Sequence, residues 1–198
     1  ELAPDEVVIV MDTTYFKHLF GVMVWRCPHR KKNLLWKFLP YETIDGYKRG
    51  IEELESQGWK VKAIVCDGRR GVLQGFSVPV QMCQFHQAMI VTRYVTRRPK
   101  LDAGRDLQSL LRHLPDVGEA QFTLWLELWY DKWGEFLKER TVDENTKHWH
   151  YTHRRLRSAY YSVKRNLPNL FTYLRYPELN IPNTSNSLEG IFTHIKKN

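Results

Sequence analysis

Long apolar runs are missing from this chain. The longest near its start, Val7 to Met11, falls far short of the ~20 residues that a membrane-spanning helix needs and of a signal-peptide core. A soluble, non-secreted protein with no membrane partner is therefore expected. Cysteine is scarce as well: Cys27, Cys66 and Cys83 are an odd set that cannot all pair. That excludes a disulfide framework and points to a reducing compartment. Internal repeats and low-complexity segments are absent, which excludes a repeat array. What remains is an ordinary globular composition, with 42% hydrophobic and 13% aromatic residues in 198, enough for one domain plus a sizeable insertion. The start at Glu1 without a methionine, and the stop soon after Glu189, read as those of an excerpt from something longer.

Acidic residues are missing from two long stretches, and this matters more than the net charge of +8. Gly68 to Lys100 holds Arg69, Arg70, Arg93, Arg97, Arg98 and Lys100 with no Asp or Glu. Thr146 to Pro177 holds Lys147, Arg154, Arg155, Arg157, Lys164, Arg165 and Arg175, again with none. Between them, Asp102 to Glu144 carries ten acids against five bases. Basic segments interleaved with Trp149, Tyr151, Tyr160, Tyr161, Tyr173 and Tyr176 suit a polyanion whose phosphates meet the cations and whose bases stack on rings. The competing interpretation is a solvated basic surface with its aromatics in the core.

Periodicity predicts three strands, a helix and a fourth strand. Val7 to Met11, Leu19 to Trp25 and Leu34 to Leu39 read as strands, joined by turns at Thr13-Thr14-Tyr15 and Arg30 to Asn33. Ile44, Tyr47, Ile51 and Leu54 then recur at helical spacing, with Thr43 or Asp45 as N-cap and Gly58 as stop. Val61 to Cys66 is the fourth strand and Val78 to Met82 a short fifth. The remainder reads as helical: Phe85 to Arg98, Leu101 to Leu114, Ala120 to Lys138, Lys147 to Asn166 and Pro168 to Arg175. A loop over Tyr176 to Thr184 precedes a last helix from Asn186 to Ile195. The fold class expected is α/β (α+β), a ribonuclease-H-like mixed five-stranded sheet flanked by helices, with the first and fourth strands adjacent.

Three carboxylates stand out against this frame. Asp12 follows the first strand, Asp67 follows the fourth, and Glu189 opens the last helix. A carboxylate at the tip of a buried strand is held by the sheet while its side chain reaches into the cleft beyond. The order of Asp12-Thr-Thr, Cys66-Asp67-Gly68, Cys83-Gln-Phe-His86 and Asn183-Thr-Ser-Asn186-Ser-Leu-Glu189-Gly190 resembles the catalytic core of a DDE transposase. The Mutator-like and related bacterial insertion-sequence enzymes are the nearest likeness, which covers almost the whole chain. The resemblance implies Asp12, Asp67 and Glu189 as catalytic residues and as ligands of two Mg²⁺ ions, for which Mn²⁺ would substitute, with Cys83 and His86 near the site. It implies DNA as partner, both transposon ends and target, handled by a homo-oligomer. The compartment would be the bacterial cytoplasm beside the nucleoid, or the nucleus for a eukaryotic relative. Asp67 and Glu189 lie 122 positions apart, and the resemblance implies an all-helical insertion within that interval, expected at 101–177 between core parts at 1–100 and 178–198. Arg69, Arg70, Arg93, Arg97, Arg98, Arg154, Arg155, Arg157, Lys164 and Arg165 are the expected DNA contacts.

Plainer roles exist for each piece. Asp12 and Asp67 suit turn caps, and Asn186 with Glu189 matches a capping box. Cys83 and His86 suit a buried thiol and a satisfied imidazole, or half of a zinc site with Cys27 and His29. His148, His150 and His153 lack an evident carboxylate neighbour and read as surface or DNA-facing. Trp125, Trp129 and Trp133 recur every four residues, as insertion core does, though an exposed one could stack on a flipped base. Two other functions fit the same chain: a metal-dependent ribonuclease-H-like nuclease, and a catalytically silent transposase-derived DNA-binding protein.

Overall fold

The computed structural model describes residues 5–16, 19–188, 190 and 192. Contacts divide the chain into two compact units, one made of 1–86 with 168–198 and the other of 87–167.

The first unit is built on a sheet of β1 (Glu6–Phe16), β2 (Phe20–Cys27), β3 (Lys32–Leu39), β4 (Lys60–Cys66) and β5 (Val80–Met82), in the order β3-β2-β1-β4-β5. β1, β2 and β3 pair antiparallel, whereas β1 with β4 and β4 with β5 are parallel. The expected adjacency of the first and fourth strands is therefore present. The turn expected at Thr13-Thr14-Tyr15 is not: these residues continue β1 against Met23, Val22 and Gly21 of β2. β-branched threonines and a tyrosine suit a pleated ladder as well as a turn, and pairing with β2 decides between the two.

Helix α1 (Ile44–Ser56) joins β3 to β4. Thr43 caps it by accepting the Gly46 N–H at 2.9 Å, and the chain turns out of it at Gly58, whose φ of 94° suits a residue without a side chain. Its buried residues Tyr47, Gly50, Ile51 and Leu54 are the helical stripe expected from spacing. Gly50 lets the helix close on the Trp25 ring, which a β-carbon there would overlap. A short helix α2 (Arg70–Leu73) follows β4.

Helix α3 (Gln84–Val95) leads into the second unit, which continues as α4 (Asp102–Arg112) and α5 (Glu119–Lys138). Trp129 is buried, donates to the Ala103 carbonyl at 3.1 Å and stacks on Tyr160, while Trp133 donates to Asp106 at 3.0 Å. Trp129 is thus core of this unit, whereas Leu124 and Leu128 on the same helix are exposed. The unit is not all helical. β6 (Arg140–Val142) and β7 (Trp149–Tyr151) form an antiparallel hairpin where a helix from Lys147 was expected. Asp143 closes its turn by accepting the N–H groups of Asn145 and Thr146 at 2.9 Å each, and Lys147 has a positive φ of 58° that a helix would not tolerate.

Helix α6 (Arg154–Leu170) then returns the chain to the first unit, followed by α7 (Thr172–Arg175) and a 3₁₀ turn at Pro177–Leu179. The second unit accordingly runs over 87–167. Hydrogen bonds explain the later boundary: Asn169 and Thr172 both donate to the Val80 carbonyl, and Gln81 binds the Leu170 carbonyl and the Tyr173 N–H. These residues close the end of β5 and belong with the sheet. Beyond them Ile181, Leu188 and Phe192 pack on Val8, Val10, Val24, Ala63 and Val65, covering one face of the sheet. α1 packs on β2, β3 and β4.

Candidate metal and phosphoryl-transfer site

Asp12 and Asp67 come to matching places on neighbouring strands. The parallel pairing of β1 with β4 reaches Val10 opposite Val65, and each aspartate lies two residues further on. Asp12 is not at the tip of its strand, as expected, but inside β1, at the point where the β4 partner ends and the β2 partner continues. The ladder to β2 fixes its backbone while its β4 side opens. Thr13 N–H donates to Asp12 Oδ1 at 2.8 Å, and Arg69 N–H to Asp67 Oδ1 at 3.1 Å, so each carboxylate has one turn-type bond and keeps spare oxygen valence. Burial, with Asp67 and Glu42 beside it, pushes the Asp12 carboxyl up to about 6, against the opposing pull of His86 and the Thr13 N–H.

Cys83 extends the row. Its N–H donates to the Cys66 carbonyl at 2.8 Å, one step past the Cys66–Met82 pairing of β4 with β5. Cys83 Sγ accepts from Ser185 N–H at 3.2 Å and from Ser185 Oγ at 3.3 Å, and that hydroxyl also lies 3.4 Å from His86 Nδ1. Burial works against the Cys83 thiolate, yet His86 and Ser185 together bring the thiol below its ordinary value. Burial likewise works against the His86 cation, but Cys83, Asp12 and Asp67 raise it to about 9. Cys83 and His86 thus form a polar pair bridged by Ser185, with the aspartates acting on the imidazole through their charge. The zinc arrangement with Cys27 and His29 is ruled out by topology. Cys27 ends β2, which β1 and β4 separate from β5, at roughly 14 Å for three strand spacings, and His29 bonds the Asn180 carbonyl at 2.9 Å.

Glu42, which no strand-end or helix-start pattern marks, completes the surroundings. Its carboxylate accepts from Tyr47 OH at 2.7 Å and from Arg69 Nη2 at 2.7 Å, and its carbonyl accepts from Arg69 Nη1 at 3.2 Å. Tyr47 OH lies 3.0 Å from Thr13 Oγ1. One residue thus ties together the segment after Asp12 and the segment after Asp67. Burial raises its carboxyl, as does Asp67. The signal available in the sequence was an acid one place ahead of the Thr43 N-cap, outside both the strand-end and helix-start patterns.

The expected third carboxylate, Glu189, lies outside the described residues, and so does the Arg70 side chain. Among the described residues no three His, Cys, Asp or Glu side chains form a metal-binding group. Asp12 and Asp67 nonetheless suit a hard divalent cation: both offer oxygen, and the upward push on Asp12 from its acidic neighbours is what a bound positive charge would relieve.

The remaining basic residues separate into distinct roles. Arg69 is taken up by Glu42. Arg155 donates to the carbonyls of Arg93 and Tyr94 at 2.6 and 2.8 Å. Arg93, Arg97, Arg98 and Lys164 are exposed; Arg154, Arg157 and Arg165 line a common groove. His153, expected to lack a carboxylate neighbour, has one: Nε2 lies 2.9 Å from Glu139 Oε2, with the ring stacked on Phe136. Among the described residues no helix is long and apolar enough to cross a membrane. Compared with protein-family models and with curated proteins, the chain matches none.

Proposed function

We propose that this chain is the catalytic core of a DDE-type transposase, with a ribonuclease-H-like first unit interrupted by an insertion, cutting and rejoining DNA by metal-assisted phosphoryl transfer. The observation that carries the reading is the matched placement of Asp12 and Asp67 beyond the Val10–Val65 pair, with Cys83 and His86 alongside. The adjacency of β1 and β4 in a mixed five-stranded sheet supports the ribonuclease-H-like reading. A further support is the motif running up to Glu189. Gln84 and Asn183 bond each other twice, at 2.9 and 3.1 Å, Ser185 bonds Cys83, and Leu188 packs with Val10 and Val65.

In this reading Asp12 and Asp67, with Glu189, would hold Mg²⁺. When bound, the metal group supplies charge neutralisation on the phosphodiester and an activated oxygen nucleophile. The chain's own residues set the stage: the β1 and β4 ladders hold the aspartates, Glu42 braces the segments after them, and the His86 cation offsets their repulsion. DNA is the substrate, and work in a reducing cytoplasm or nucleus accords with three free, buried cysteines.

The test is DNA cleavage and joining with Asp67→Asn. The wild type should cut and join labelled DNA in Mg²⁺ or Mn²⁺; the variant should lose both activities by at least about 100-fold while binding DNA as well or better, because a negative charge is gone. A variant that cuts at the wild-type rate would overturn the metal-site assignment. A wild type that cuts and never joins would indicate a nuclease instead.

A further inference from the structure

Helix α6 carries a stripe that the carboxylate site does not use. Arg154, Arg157, Tyr161 and Arg165 follow one another at intervals of three, four and four, and so share one face of the helix. With Tyr94 and Tyr151 they line an open groove of about 410 Å³, and among the described residues no acid lines it. We infer that this groove is a binding site for a single nucleic-acid strand, with phosphates on Arg154 and Arg165 and bases against the tyrosine rings. The inference rests on the nucleic-acid reading above and adds where, and in what form, the strand is held.

Three features build the site. The side chains of Arg154 and Arg165 are exposed and make no hydrogen bond or ion pair among the described residues, so their donors are free for a ligand. Arg157 is already ordered, its guanidinium 4.0 Å from the Tyr151 ring and 4.7 Å from the Tyr161 ring, a flat cationic shelf between two aromatic ones. Arg155, turned the other way, bonds the Arg93 and Tyr94 carbonyls and so anchors the wall that carries Tyr94. The distance between the free arginines selects the ligand. Eleven residues of helix span about 16 Å, too far for one phosphate to meet both, whereas a strand with a charge every few ångströms meets both at once. Rings in the groove favour unpaired bases, since a duplex keeps its base faces stacked internally.

The experiment is fluorescence anisotropy of a labelled 20-nucleotide single-stranded DNA titrated with the whole chain in EDTA, where metal-dependent cleavage is silent. Arg154→Ala with Arg165→Ala should weaken binding by about tenfold or more and flatten the dependence of log K on log salt by about 1.4, for two lost single-strand phosphate contacts. Arg165→Glu alone, at an exposed position, should weaken binding in the same direction and guards against misfolding of the pair. Tyr94→Leu should weaken single-strand binding several-fold without changing the salt slope, because it removes stacking and no charge. Unchanged affinity and slope in the arginine variants would overturn the site. So would an equal loss in Arg49→Ala, which removes a charge from the first unit, or tighter binding to duplex or to phosphatidylserine vesicles than to the single strand. If Asp67→Asn abolishes cleavage while these variants bind normally, only the groove falls.

Discussion

Asp12 ionises reluctantly in the folded protein, and stability should record it. Burial first, then Asp67 and Glu42, hold its carboxyl at about 6 against an ordinary 3.8, with His86 and the Thr13 N–H opposing. The folded state therefore keeps a proton that the unfolded chain releases near pH 4. Stability falls as pH rises through the window between the two values, by at most about 3 kcal/mol at 1.36 kcal/mol per unit. Asp12→Asn has no such proton to lose. In thermal melts without divalent metal the variant should gain on the wild type between pH 4.5 and 7 and be the more stable at pH 7.5; parallel melting curves across that range would refute the burial argument. Glu42 is the second residue to test, as a brace rather than a catalytic group. Glu42→Ala leaves Arg69 and Tyr47 without their shared acceptor. It should reduce DNA cleavage and Mn²⁺ affinity by about 10- to 100-fold, as loss of a supporting bond to a metal ligand's surroundings does. Glu42→Gln, which can still accept from Tyr47, should recover part of both; equal defects in the two variants would reduce Glu42 to packing.

Among the elements, α1 shows how far spacing reaches. Its stripe, its Thr43 cap and its Gly58 exit were legible because each depends on local chemistry. The contact at Gly50 was not, because the partner, Trp25, lies on another strand. Gly50→Ala should raise helix propensity by about 1 kcal/mol and still destabilise the protein, by about 1–3 kcal/mol net, because the added carbon displaces a buried ring. Urea denaturation decides the sign. The β6–β7 hairpin escaped the reading for a different reason. The segment from Lys147 onward is rich in Arg, His and Tyr, compatible with an amphipathic helix, and the hairpin is decided by the Asp143 turn bonds, the ladder from Arg140 to Tyr151 and the cations on Trp149 and Tyr151. The length of β1 was hidden likewise, since Thr13 to Phe16 take their conformation from pairing with β2.

For the molecule as a whole, the sequence disclosed the parts of the site more readily than their supports. Asp12 and Asp67 were legible as acids next to apolar strands, and Cys83 with His86 as a spaced pair. Glu42, Tyr47 and Ser185 were not, because each serves through hydrogen bonds to residues far away in the chain. The same long-range economy governs the way the first unit is put together. One face of its sheet, over Val8, Val10 and Val65, is covered by Ile181, Leu188 and Phe192, which leave the ribosome only after all of 87–167 has been made. At about 5–20 residues per second, a nascent chain spends several seconds with β1 and β4 synthesised and that face bare. During this interval Ser185 and Asn183 have not arrived to engage Cys83 and Gln84. The polypeptide carries its aspartates well before 181–192 are made, and only then can the bonds and packing around them form.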